Sequence, residues 1–422
     1  MEQDMPWAMR REDMAARYGK KVRRAGARPL GDARTGRGVE AHGAKVVRSQ
    51  SRTESKSYGM ADGVASGAAR AFDRRDGSYA AAMVEDVRAV EWTGEGLRLI
   101  DQTQLPGRLD HLDIRDVEGL VGAIQRLSVR GAPAIGVAGA FGVAIAMIQA
   151  GREGWGQDAL AAAVARVRDA RPTAVNLAAG VDRVIPFMSK GVEAVVAEAQ
   201  ALLDEDVRGN RAIGAFGADW LLERSKDRPL RVITHCNAGA LATAGWGTAF
   251  GVVRELHARG RLDLVYADET RPLLQGARLT AWELGQLGIP HVVQADGAAA
   301  STILRGLVDV AIIGADRIAA NGDTANKIGS VGLALACADA GIPFVVAAPW
   351  STIDLGTASG ADIPIEERAA DEVLAWGDVR TAPAGSRAFN PAFDVTPARL
   401  VSALVTETGV MEISAGETPG QR

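Results

Sequence analysis

Residues 308–330 read VDVAIIGADRIAANGDTANKIGS, and the fold is decided by how this stretch is read. Residues 308–313 are apolar and β-branched enough for a buried strand. The strand must stop at Gly314-Ala315-Asp316, where small residues and a carboxylate turn the chain. Asp316 thus stands at the carboxyl end of a strand, and in open α/β sheets that edge is where ligands bind. Closing the turn is the other role open to such an Asp. Beyond it come a polar turn, Ala320-Asn321-Gly322-Asp323, and the pair Asn326-Lys327, where a helix is expected to begin.

The same pattern recurs on both sides. Residues 231–235, 262–267, 291–294 and 343–348 are further short apolar runs, separated by helical segments such as 246–259 and 279–287. Alternation of this kind predicts a Rossmann-like, doubly wound parallel sheet. Four of the five strands end on a polar or reactive group, namely Cys236, Asp268 with Glu269, Asp296 and Asp316, all along one sheet edge; the fifth ends at Ala348-Pro349-Trp350. No strand is followed by GxGxxG, which argues against a nicotinamide enzyme.

Upstream the periodicity is different. Residues 90–92 and 97–100 alternate as two short strands around the turn Thr93-Gly94-Glu95-Gly96. Val117, Leu120, Val121, Ile124 and Leu127 then recur at helical spacing. Residues 133–150 carry no charge over nearly the length of a membrane span, but their Gly and Ala content and abrupt polar flanks suit a tightly packed core helix. Arg130-Gly131-Ala132-Pro133 places a guanidinium and free amides before that helix, an arrangement that holds an anion such as phosphate, although any Gly-Pro helix start looks similar. Arg171 sits comparably before Thr173, which is expected to start the next helix.

The chain therefore divides into a basic extension at 1–82 that is expected not to fold, a mainly helical N-terminal domain with a small β-hairpin at 83–225, a Rossmann-like α/β catalytic domain at 226–410, and a flexible tail at 411–422. With 422 residues, 47% hydrophobic and 24% charged, and a net charge of -4, the composition is that of a soluble globular protein and gives no reason to expect nucleic acid or membrane partners. Cys236 and Cys337, the two cysteines, both lie in apolar surroundings far apart in sequence. That suits a reducing, cytoplasmic setting and argues against a disulfide framework. No secretory signal is visible in the charged amino terminus. His235, His257, Asp268 and Glu269 match no tetrahedral zinc spacing, so no metal is expected, and His235 is read as a strand-end residue that orients the cysteine loop.

Six segments in this order resemble the methylthioribose-1-phosphate isomerases, a family related to the regulatory subunits of the translation initiation guanine-nucleotide exchange factor. They are Arg130-Gly131-Ala132-Pro133-Ala134-Ile135-Gly136, residues 171–177 (RPTAVNL), Thr234-His235-Cys236-Asn237-Ala238-Gly239, residues 269–276 (ETRPLLQG), the stretch quoted first, and residues 390–397 (NPAFDVTP). The resemblance spans about residues 87–410. It implies an aldose-ketose isomerase that converts 5-methylthioribose 1-phosphate to 5-methylthioribulose 1-phosphate in methionine salvage, without a cofactor and as a homodimer. The phosphate blocks the anomeric oxygen, so the ring oxygen must be protonated before the ring opens, and a hydrogen must move from carbon 2 to carbon 1.

Position by position, the resemblance makes Asp316 the proton donor and Cys236 an acid/base or transition-state stabilising group. Arg130, Gly131, Ala132, Arg171, Gln275, Asn326 and Lys327 become substrate-binding residues. The chemistry of the residues agrees with this. An Asp serving as an acid at neutral pH needs a raised pKa, which an apolar pocket built by residues 310–313 supplies. Cys236, placed between a strand and a helix start, gains local amides that favour a thiolate. Two rivals stand beside this reading: an isomerase of a related sugar 1-phosphate, such as ribose 1,5-bisphosphate or 5-deoxyribose 1-phosphate, and a nonenzymatic regulatory subunit. A methylthio group wants an apolar wall, for which Trp246 and residues 135–141 are candidates.

Overall fold

The computed structural model describes residues 87–171, 174–225 and 227–421. The basic extension at 1–82 and the helix start assigned to Thr173 lie outside these residues.

The amino-terminal part begins with β1 (Val90–Trp92) and β2 (Leu97–Ile100), paired antiparallel across a turn that is closed by the Thr93 N–H donating to the Gly96 carbonyl at 2.9 Å. A third strand, β3 (His111–Ile114), joins β2. Helix α1 (Val117–Gln125) starts where the Asp116 carboxylate accepts the Gly119 N–H at 2.7 Å, an N-cap that satisfies one of the orphan donors of the first turn. The uncharged segment forms α2 (Ala132–Glu153) and is followed by α3 (Gln157–Arg168), α4 (Val175–Val184) and α5 (Val192–Arg224). Helix α2 is long and apolar enough to cross a membrane, yet 78% of its apolar window is buried inside the fold. Its apolar residues run all round because helices and strands cover every side.

Small residues make that covering possible. A Cβ on Gly180 of α4 would lie 2.1 Å from the Gly136 carbonyl oxygen of α2, and a Cβ on Gly136 would lie 2.8 Å from the Asn176 oxygen. The two backbones therefore touch. Phe141 on α2 stacks on Trp92 of β1 with ring centroids 5.3 Å apart, tying the small sheet to the helices.

The second part alternates strand and helix: β4 (Leu230–Thr234), α6 (Ala249–Ala258), β5 (Leu262–Asp268), α7 (Ala281–Gln286), β6 (His291–Gln294), α8 (Ala299–Leu304) and β7 (Val310–Ile313). Then come β8 (Arg317–Ala319), β9 (Thr324–Lys327), α9 (Ser330–Ala340), β10 (Phe344–Ala347), β11 (Ile353–Asp354), the hairpin of β12 (Ala375–Trp376) and β13 (Val379–Arg380), β14 (Phe393–Thr396), β15 (Ala403–Thr406) and β16 (Gly409–Met411). All five strands expected from the sequence are present. Together with β15 and β16 they form one seven-stranded sheet of order β16-β15-β10-β7-β4-β5-β6, parallel except for β16. Strands β7, β10 and β15 are buried at every residue, which is why they read as unbroken apolar runs. Ile413, just beyond β16, is buried as well.

Strand order carries the functional consequence. From β4 the chain moves outward through β5 and β6, then returns to place β7 on the other side of β4. The crevice at this reversal, outside the carboxyl ends of β4 and β7, is the topological switch point. Cys236 follows β4 and Asp316 follows β7.

One expectation fails here. Asn326 and Lys327 do not open a helix; they end β9, which pairs antiparallel with β8 and β14 in a sheet of order β11-β8-β9-β14. The Asn321-Gly322 pair is the turn of a β8–β9 hairpin, with Gly322 at φ 89°. Helix α9 starts only after Gly329, at φ 109°.

Because α2 and α4 meet backbone to backbone, Gly180→Ala is expected to lower stability by about 1–3 kcal/mol through overpacking. Urea denaturation checks it; a midpoint unchanged from wild type would mean that the helices separate at no cost.

Candidate active site

A cleft of about 660 Å³ opens at the switch point. Asp316, Cys236, Arg130, Gly131, Ala132, Arg171, Gln275, Asn326 and Lys327 all line it, so the structure brings together every site residue expected from the sequence.

Cys236 leaves β4 in the left-handed region, at φ 64°, a conformation that costs a non-glycine residue energy and is held by its neighbours. Its N–H donates to Thr270 Oγ1 at 2.8 Å, and its carbonyl accepts from Thr280 Oγ1 at 2.6 Å. The helix start expected behind Cys236 is absent: the next helix, α6, begins only at Ala249. A cation stands there instead of helix amides, with Arg130 Nη2 4.0 Å from Cys236 Sγ.

Arg130 is itself held by Asn237, through Nη1 to Oδ1 at 2.7 Å and Nη2 to the carbonyl at 3.2 Å. Gly131 then caps α2 at φ 95°, and a Cβ there would fall 2.2 Å from the Ala242 oxygen. Only glycine fits that approach. Ala132 and Pro133 open the helix, so the amino terminus of α2 faces the cleft beside Arg130.

Asp316 projects into the cleft, where water reaches its side chain, with protein packed around the cleft walls. Among the described residues its carboxyl has no hydrogen-bond partner; only its backbone N–H is engaged, by the Ala325 carbonyl at 2.9 Å. Desolvation pushes its pKa above the ordinary carboxylate value, and Glu366 adds to the rise. The charges of Lys327, Arg130 and Arg171 pull the other way without cancelling it.

Lys327 is no surface lysine. It is 9% exposed, donates to the Ala392 carbonyl at 2.8 Å and lies 4.6 Å over the Phe393 ring. Asn326 Nδ2 donates to Ser330 Oγ at 2.9 Å. Arg171 Nη2 stands 3.9 Å from Glu366, and burial lowers its pKa against the pull of that carboxylate. Gln275 precedes a π-helical turn, Gly276–Thr280, and its buried Oε1 has no hydrogen-bond partner among the described residues.

His235 braces the edge. Its Nδ1 faces Asp268 Oδ2 at 3.0 Å and its Nε2 faces the Ile328 carbonyl at 2.8 Å, joining the ends of β4 and β5 to the turn before α9. Burial pulls its pKa down, but these acceptors outweigh burial and raise it. Ligand atoms of His235, Asp268 and Asp296 lie within 4.8 Å of one another. Protein hydrogen bonds already engage them: Asp268 also accepts from Gln294 Nε2 at 2.8 Å, and Asp296 accepts the Thr270 and Arg271 N–H groups at 2.7 and 2.6 Å. The cluster reads as a loop brace.

Several cleft residues escaped the sequence. Arg278 ties the small sheet to the cleft floor, donating to the carbonyls of Gln102 at 2.6 Å, Leu105 at 3.1 Å and Leu273 at 3.2 Å. Glu366 and Arg368 enter from a loop without periodicity, and Asn237 adjoins Cys236. Trp246, expected to offer an apolar wall, is not among the cleft residues. Arg211 and Arg254 stack on its ring at 3.9 and 3.7 Å, and it lines a separate cavity with Leu203 and Val207. Apolar wall in the cleft comes from Ile135, Leu273, Ile363, Pro364 and Ile365.

The chain is similar to known proteins. The model of the initiation factor 2 subunit family matches residues 128–413. The methylthioribose-1-phosphate isomerase of Anaeromyxobacter dehalogenans (strain 2CP-C) is 54% identical over 315 residues, covering 75% of this chain and 90% of that protein. A probable bifunctional methylthioribose-1-phosphate isomerase/methylthioribulose-1-phosphate dehydratase of Nocardia farcinica (strain IFM 10152) is 52% identical over 338 residues, covering 80% of this chain; the chain spans 61% of that longer relative. Among solved structures, 5-methylthioribose 1-phosphate isomerase from Pyrococcus horikoshii OT3 matches with a TM-score of 0.71 and 41% identity, over 77% of this chain and 92% of that one. The translation initiation factor eIF-2B, subunit delta, from A. fulgidus matches with a TM-score of 0.69 and 42% identity, over 77% and 96%.

With two guanidiniums and a helix amino terminus facing one cleft, inorganic phosphate is expected to bind there. Arg130→Met and Arg171→Met should each weaken it by about tenfold or more, since a charged hydrogen bond contributes roughly 1.5–3 kcal/mol. Isothermal titration calorimetry checks this, and unchanged affinity in both variants would move the anion elsewhere.

Proposed function

The chain belongs to the initiation factor 2 subunit family and, within it, to the methylthioribose-1-phosphate isomerases, and from that premise we propose that Asp316 and Cys236 act as its catalytic pair. It is an aldose-ketose isomerase of methionine salvage, converting 5-methylthioribose 1-phosphate to 5-methylthioribulose 1-phosphate. One observation carries the assignment of roles: a carboxyl and a thiol end two neighbouring strands of the switch point inside a single cleft that also holds Arg130, Arg171 and Lys327.

In this reading Arg130, Arg171 and the amides at Gly131 and Ala132 hold the phosphate, while Gln275, Asn326 and Lys327 hold the sugar hydroxyls. Asp316, whose pKa desolvation raises, gives its proton to the ring oxygen as the bond from that oxygen to carbon 1 breaks. A hydrogen then moves from carbon 2 to carbon 1, and the carbon 2 hydroxyl loses its proton to become the ketone. Cys236 serves as the acid/base or stabilising group for that step. Deuterium on carbon 2 tests the route: extensive washout into solvent argues against a direct hydride shift.

The group on carbon 5 is read from the cleft wall. Ile363, Pro364 and Ile365 suit a methylthio group. A second phosphate would need a free cation, and Arg368, beside that wall in sequence, is bound by Glu366 at 3.0 Å and Glu372 at 2.6 Å. The reading includes a cytoplasmic homodimer. Two free thiols support a reducing compartment, and the exposed apolar residues Leu355, Trp376, Val379 and Phe389 along one stretch of chain support a partnered surface.

The decisive experiment supplies purified protein with 5-methylthioribose 1-phosphate, ribose 1,5-bisphosphate and 5-deoxyribose 1-phosphate and follows aldose loss by NMR. Turnover is expected with the first, and none with any would sink the enzyme reading. Asp316→Asn and Cys236→Ser should each lower turnover by roughly a hundredfold or more with folding intact. The rate should fall as pH rises through the raised pKa of Asp316, since only its protonated form donates. Lys327→Met removes a charge that pulls that pKa down, so it should move this limb to higher pH in a pH–rate profile.

A further inference from the structure

Glu283 of α7 is a buried carboxylate that the isomerisation does not use. Its Oε1 accepts from Asn237 Nδ2 at 2.7 Å, and its Oε2 accepts from the Ala240 N–H at 2.7 Å. Gly239 presses against it so closely that a Cβ there would lie 2.3 Å from Oε1. Each of these partners donates, which is the environment an ionised carboxylate needs and a neutral acid does not. Burial pushes its pKa up, and the hydrogen bonds together with the charge of Arg130 oppose the rise without cancelling it.

Its effect passes through Asn237. With Nδ2 committed to Glu283 and, at 3.2 Å, to Thr280 Oγ1, the amide has one orientation, and Oδ1 must face Arg130. The Asn237 carbonyl takes the second guanidinium nitrogen, which in turn stands 4.0 Å from Cys236 Sγ. A neutral amide at position 283 would accept either orientation of Asn237. The guanidinium would then lose its fixed seat.

We infer that Glu283 is a positioning residue which, by fixing the amide of Asn237, holds the Arg130 guanidinium against the Cys236 sulfur. This rests on the proposed roles of Cys236 and Arg130, and it adds the group that sets their geometry. The competing role for Glu283 is to pin residues 237–241 with no effect on the sulfur.

Alkylation by iodoacetamide in the free enzyme, resolved by mass spectrometry, separates the two. The sulfur that reacts lies 4.0 Å from Arg130 Nη2, so its alkylation rate reports how that guanidinium is seated. Cys337 is an internal control, because burial pushes its thiol up to about 12 and keeps it silent while the fold is closed. Glu283→Gln is expected to slow Cys236 alkylation and to lower kcat, each by about tenfold, with a smaller change in KM. The double substitution Glu283→Gln/Asn237→Asp moves the carboxylate next to Arg130 and keeps a complementary amide behind it. It should recover both rates to within about threefold of wild type. An alkylation rate unchanged in Glu283→Gln overturns the inference, as does a double variant no better than the single one. If Cys337 also reacts in Glu283→Gln, marking an opened fold, Asn237→Ser is read in its place; slowed alkylation supports the relay and an unchanged rate overturns it. Alkylation needs no substrate, so failure of the wild-type protein to isomerise the sugar would sink the proposed function independently of this result.

Discussion

The contact on which the site depends is the one between Gly131 and Ala242. The helical part and the sheet meet there with no room for a Cβ, and the Ala134 N–H donates to the same Ala242 oxygen at 3.3 Å. A second tie, Gln102 Nε2 to the Leu241 carbonyl at 2.7 Å, fixes the small sheet to the same loop. Arg130, one residue before Gly131, is thereby delivered to Asn237 and Cys236, which belong to the other part of the chain. Neither part carries the site alone. Arg130 and the start of α2 come from the helices, and the carboxyl and thiol come from the sheet edge.

The electrostatics of the cleft follow from that meeting. Burial raises Asp316, and three cations oppose the rise. A carboxyl in an apolar pocket without cations would be a weaker donor, held neutral far above working pH. One beside three cations in open water would be ionised and useless as an acid. In the cleft both influences act at once: desolvation raises the pKa of Asp316, and the Arg and Lys side chains around it oppose that rise without cancelling it.

How much of this was legible in the sequence depended on whether local chemistry or tertiary closure placed a residue. Strand-end positions were legible, since an apolar run followed by Cys236 or Asp316 reports its own edge. The start of α2 was legible for the same reason, from Arg130, Gly131 and Pro133 in succession. Lys327 was placed correctly in the cleft but on the wrong element, because Asn321-Gly322 reads equally as a loop before a helix and as the turn of the β8–β9 hairpin, and pairing with β14, far along the chain, decides between them. Arg278, Glu366 and Arg368 carried no periodic signal at all. Their positions follow from carbonyls and carboxylates that only folding brings near. Trp246 misled because a large apolar residue near a reactive loop resembles a pocket wall, whereas two guanidiniums claim its faces.

Helix α2 has a mechanical consequence. Its 22 residues make a rod of about 33 Å. It is gripped along nearly its whole length by close-packed neighbours, two of them through backbone contact, and its amino-terminal end meets the cleft. A rod clamped in this way cannot swing when a ligand arrives. The cleft wall it forms is therefore stiff, whereas Glu366 and Arg368 line the same cleft from a segment with no helix or strand. The helix end is the fixed datum of the cleft.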